Sequence, residues 1–110
     1  MRRQPKFLRI LGQRIAVTTV VGLTHEDEED DHAHRAYGVF DPAEPSIAMD
    51  KDMGSERRKV TLVHEGLHAM LNTAKLDSVE DEEELVGRLS PILLDFIRAN
   101  RGAIAYLQES

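Results

Sequence analysis

The stretch VTLVHEGLHAML, residues 60–71, carries two histidines four residues apart, with a glutamate directly after the first. On a helix, four residues is little more than one turn, so His64 and His68 fall within about 40° of each other. Two neutral imidazoles so placed can share one ion. Zinc takes histidine nitrogens at about 2.0–2.1 Å and leaves room for a third protein ligand and a water. The ion lowers the pKa of that water toward roughly 7, and an adjacent carboxylate can act as general base. Glu65 occupies that place in the His-Glu-x-x-His string. A helix over residues 60–74 gathers Val60, Val63, Leu67, Met70, Leu71 and Ala74 into one apolar arc. Both histidines stand at its border, and Glu65 points further out, over the open position. The competing reading is a core helix with two structural histidines, each of which would need a buried hydrogen-bond partner. Imidazole and carboxylate ligands also suit iron, manganese or nickel, so zinc is expected from ligand type alone.

A third ligand must come from elsewhere, because residues 69–78 hold no histidine. The acidic start of the next apolar-periodic segment, SVEDEEELVGRL, is the source. Leu85, Val86, Leu89, Leu93 and Phe96 set the core arc of that helix, which puts Glu82 near its centre, Glu83 at its edge and Glu84 largely outward. Two packed helices bring their border residues together over one cleft, which favours Glu83, with Glu84 and Glu82 as alternatives. The bland reading makes all of these solvated first-turn acids, which the helix dipole favours.

The elements that must position these residues divide into strands, then helices. KFLRIL (6–11) and RIAVTTVVGL (14–23) read as a hairpin turning at Gly12-Gln13, with Ile15, Val17, Thr19, Val21 and Leu23 on one face. THEDEEDDHAHR (24–35) holds six carboxylates and the histidines His25, His32 and His34. It reads as a solvated hairpin tip, against the alternative of a second metal site or partner-binding loop. AYGVF (36–40) is a third strand, DPAEP (41–45) a turn, and SIAMD (46–50) a short fourth strand. Ser55 is the expected N-cap of the histidine helix, over about 56–74. Asp77 or Ser78 would cap the next helix. Ser90-Pro91 either kinks that helix or opens a new one, and Asn100-Arg101-Gly102 is expected to end it.

Composition narrows the function classes. One domain spanning 1–110 is expected from length. The net charge is −6 with no basic stripe, which argues against nucleic acid. The chain has no cysteine, which excludes disulfides and thiolate metal sites and fits a reducing cytoplasm. No signal-peptide pattern and no membrane span is expected.

YGVFD, SIAMD, RRKVTLVHEGLHAML and EEELVGRLSPILLDFIRAN together resemble the small phage-type HExxH metallopeptidase-like proteins of the gluzincin group, relatives of the phage-repressor-cleaving metallopeptidases. The resemblance covers about residues 36–100. It implies a minimal zincin-like α+β fold, with a three- to four-stranded sheet, an active-site helix and a C-terminal ligand helix. His64, His68 and Glu83 would hold one zinc ion, with Glu65 the base. SIAMD would be the edge strand beside the cleft, where a peptide could add. Tyr37 and His34 are the candidates for oxyanion stabilisation, a role with no clear occupant in this chain. The expected function is zinc-dependent cleavage of a peptide bond in a protein or peptide substrate, in host cytoplasm or virion. The alternative is a metal-stabilised structural or interaction protein, associated with a virion. The sequence leaves the oligomeric state open.

Overall fold

A computed structural model describes residues 2–26, 33–35, 37–76 and 80–109, with only the backbone at 24–26 and 33–35. The fold is α+β. Strands β1 (Phe7–Ile10), β2 (Gln13–Val20), β5 (Gly38–Asp41) and β6 (Ser46–Asp50) form a mixed sheet in the order β1-β2-β6-β5. Strands β3 (Thr24–Glu26) and β4 (Ala33–Arg35) pair separately as an antiparallel ribbon. The acidic segment 27–32 between them lies outside the described residues. Helices α1 (Ser55–Thr73), α2 (Glu82–Ala99) and α3 (Arg101–Gln108) follow.

The β1–β2 turn falls one residue earlier than expected. Ile10 pairs with Gln13, leaving Leu11 and Gly12 as the two turn residues. Both have positive φ, 48° and 80°, as a two-residue turn matched to the strand twist requires. In β2 only Ile15 and Val17 of the expected alternating set are buried. The strand ends at Val20, and Val21 is exposed. SIAMD is not an edge strand. β6 lies inside the sheet, parallel to β2 and antiparallel to β5, so the terminal strand on that side is β5.

Ile15, Val17, Ile47 and Met49 form the core with Ala69 of α1, and Leu8, Ile10, Phe40, Met53 and Leu62 pack around them. The buried stripe of α1 is Thr61, Glu65, Gly66 and Ala69, not the arc of large residues centred on Leu67. Met70 and Ala74 of that arc are exposed. The reason is steric: a helix laid close on a sheet presents small residues there. The larger side chains Val60, Val63, Leu67 and Leu71 are left half-buried.

The helix ends also differ from expectation. Gly54, not Ser55, is the N-cap of α1, and Ser55 is its first residue. α2 opens at Glu82 after Asp81, which has φ 61°; Asp77 and Ser78 lie outside the described residues. Pro91 neither starts nor ends a helix, since α2 runs through it. The Ser90 hydroxyl donates to Val86 O one turn earlier. Asn100 separates α2 from α3, and its side-chain amide donates to Phe96 O. α2 thus stops at Asn100, as expected, and a second helix, α3, follows at once. The core arc assigned to α2 is corrected too: Val86 is buried, but Leu85, Leu89 and Phe96 are exposed.

Candidate metal centre

α1 packs against α2 on one side and against β5 and β6 on another. His64 and His68 lie where α1 meets the start of α2, both half-buried. Their Nε2 atoms are 3.2 Å apart. Glu83 reaches across from the first turn of α2, with Oε1 2.9 Å from His64 Nε2 and Oε2 2.8 Å from His68 Nε2. One donor atom from each of these three side chains lies within 4.8 Å of the others. Donors bound tetrahedrally to one ion at ~2.0 Å stand roughly 3.3 Å apart. The set has nearly that spacing, and its chemistry is right for a divalent transition metal. His64, His68 and Glu83 could therefore hold a metal ion. The Glu83 side chain remains 75% exposed, so the group opens to solvent on the α2 side.

The three acids expected to compete for the third position have three different environments. Glu83 joins the histidines. Glu84 points away and pairs with Arg88 at 2.9 Å. Glu82 lies behind His68, accepting a hydrogen bond from Nδ1 at 2.6 Å. A carboxylate accepts only, so Nδ1 carries a proton, and it is Nε2 that a metal would take. An outer carboxylate placed in this way orients a metal-binding histidine. The signal for it was in the sequence: a carboxylate at the centre of a helix's inward arc is buried and must find a donor. Its other oxygen, Oε1, is buried with no hydrogen-bond partner among the described residues, so the bond to His68 is what orients this carboxylate.

Glu65 departs from its expected position. It does not overhang the cleft but turns inward, 5% exposed, between α1 and β5. The close approach is made possible by Gly38, where a Cβ would come within 2.9 Å of Glu65 Cγ and 2.8 Å of Thr61 Cγ2. The ring of Tyr37, the neighbouring residue, lies under the Arg57 guanidinium, 4.6 Å from its centroid. Arg57 is roughly two turns of α1 before His64, so Tyr37 is held toward the start of the helix. The side chain of His34, like those of His25 and His32, lies outside what the structure describes.

Electrostatics follow from these positions. Burial pushes Glu65 up to about 7, against the lowering effect of His68. Burial also lowers His64, more than Glu83 raises it. For His68 burial again lowers, but the hydrogen bond to Glu82 and the charges of Glu65 and Glu83 outweigh it, and the net shift is upward. A histidine between two carboxylates favours its cation; a metal would have to displace that proton from Nε2.

No family model matches the chain, and no curated protein or solved structure matches it either.

Proposed function

We propose that this chain is a zinc-dependent hydrolase of peptide bonds, with His64, His68 and Glu83 as ligands and Glu65 as general base. The observation that carries the reading is the convergence of two Nε2 atoms and one carboxylate at ligand-like separations, with a buried carboxylate one residue from the first histidine. Zinc held there would supply the positive charge that polarises the scissile carbonyl and acidifies the attacking water. Glu65 would take one proton from the attacking water and pass it to the amide nitrogen as the C–N bond breaks. A carboxyl near 7 can move a proton in both directions at neutral pH. Glu82 holds the His68 ring in place through Nδ1. An extended peptide would pair with β5, the terminal strand whose Gly38 touches the Glu65 side chain.

The test is metal content measured beside cleavage of a mixed peptide library, for the wild type, Glu65→Gln and His68→Ala. We expect about one zinc per chain in the wild type and Glu65→Gln, little in His68→Ala, and cleavage by the wild type alone. Full zinc content in His68→Ala would overturn the ligand assignment. A zinc-loaded wild type that cleaves nothing would instead mark the metal-stabilised interaction protein.

A further inference from the structure

One face of α2 is apolar and uncovered. Leu85, Leu89, Ile92 and Phe96 are each between 40% and 64% exposed. They follow one another at intervals of four, three and four residues, the heptad spacing of a helix–helix seam. At ~100° per residue their mean direction lies roughly 100° around α2 from the side that Val86, Ser90 and Leu93 turn toward α1. The seam is therefore a second face, distinct from the one that carries Glu82 and Glu83.

We infer that this face pairs with the same face of a second copy of the chain, with the two α2 helices antiparallel about a two-fold axis. The argument is self-complementarity. Antiparallel pairing stacks Leu85 on Phe96 of the second copy and Leu89 on its Ile92, and the two-fold repeats both layers. One flank of the seam, on the side away from α1, carries Arg88 and Asp95, opposite charges one heptad apart. In an antiparallel pair like flanks meet, so Arg88 of each copy faces Asp95 of the other. A parallel pair would instead bring this flank against the side of the second copy that its own α1 already occupies. Arg88 and Glu84 form a highly exposed pair within the helix, so the Arg88 guanidinium is free to turn to Asp95 of the second copy at little cost. Leu89 and Ile92 supply the apolar anchors at the centre of this isologous seam, and Phe96 closes it at each end.

The inference is independent of the metal reading, and its experiment contains no metal. The mass of the full chain is measured by sedimentation equilibrium up to about 100 μM, where a micromolar interface would be filled. The wild type is expected as a dimer. Leu89→Lys is expected as a monomer, with far-UV circular dichroism unchanged, because Leu89 is exposed within one chain. Arg88→Asp and Asp95→Arg should each raise the dimer Kd about three- to tenfold by setting like charges face to face. The double exchange should bring it back to within about twofold. A monomeric wild type, a dimeric Leu89→Lys, or a double exchange no better than the single changes would overturn the antiparallel pair.

Discussion

At Glu82 the difference between a ligand and a ligand's support is one bond. Its carboxylate touches His68 only at Nδ1, 2.6 Å away, while the neighbouring Glu83 meets both Nε2 atoms. Under the proposed function, removing its charge should leave zinc stoichiometry intact but weaken affinity. For Glu82→Gln we expect about a 10- to 100-fold loss, read by chelator competition; Glu83→Gln should cost more, since it removes an ion contact. Affinity should also fall with pH sooner than at an isolated histidine, because the net shift of His68 is upward from 6.5 and zinc must displace its proton. Glu65 offers a second test, on the metal-free protein. Its pKa is raised from 4.5 to about 7 by burial. A raised carboxyl binds its proton more tightly in the folded state, so its contribution to stability is complete below 4.5 and is lost as pH rises through 7. His68 acts in the same direction and His64 in the opposite one. Glu65→Gln removes the first of these, and with it the Glu65 charge that helps to raise His68. In urea unfolding with chelator present, the wild type should lose on the order of 3 kcal/mol relative to Glu65→Gln between about pH 4.5 and pH 8. Parallel pH profiles would mean that Glu65 is not buried as described.

At the scale of elements, the join between β5 and α1 decides how Glu65 is held. Gly38 is required there by space rather than by backbone freedom, since a Cβ would meet Thr61 and Glu65 at under 3.0 Å. Gly38→Ala should cost about 1–3 kcal/mol through overpacking. Under the proposed function it should also lower turnover while zinc content stays, because the side chains that a Cβ would meet are Thr61 and Glu65 rather than the three ligands. A thermal melt beside a metal assay separates the two effects. This contact also shows what could be read from the chain and what could not. The strand–helix order and the pairing of two histidines with the acidic start of the next helix were legible, because local periodicity and spacing encode them; Glu83 does join the histidines, but the arc that singled it out is not the buried face of α2. The face of α1 that meets the sheet was not. Hydrophobic periodicity weights large side chains, whereas close helix–sheet packing selected Gly66 and Ala69 and turned Glu65 inward. The same bias placed Leu85, Leu89 and Phe96 in a core they do not join. The interior position of SIAMD was hidden for another reason: β6 pairs with β2 across twenty-five intervening residues, 21–45, and no local pattern reports a pairing at that range.

Across the whole molecule, the core is unevenly shared. Ile15, Val17, Ile47, Met49 and Ala69 bind the sheet to α1, whereas Val86 and Ser90 are the buried residues of α2. Half-buried Leu93 also turns toward α1, and polar groups join the helices at both ends: the histidine–glutamate group at one and an exposed pair, Glu56–Arg98 at 2.6 Å, at the other. The exposed pair contributes little. Zinc would therefore add a clip at the start of α2, and its binding energy would appear as folding stability. At about 100-fold excess of free zinc over Kd, linkage gives ~2.7 kcal/mol, which for a domain of this size is roughly a 10 °C rise in Tm. The gain should be localised as well. Amide exchange should slow most in α2, which the ion would fasten, and least in β2 and β6, which the core already holds. Glu83→Ala should abolish both effects while leaving the metal-free melt close to wild type, because its side chain is largely exposed. A Tm rise that persists in Glu83→Ala would place the stabilising ion elsewhere. Protection spread evenly over sheet and helices would mean that α2 is already fixed without it.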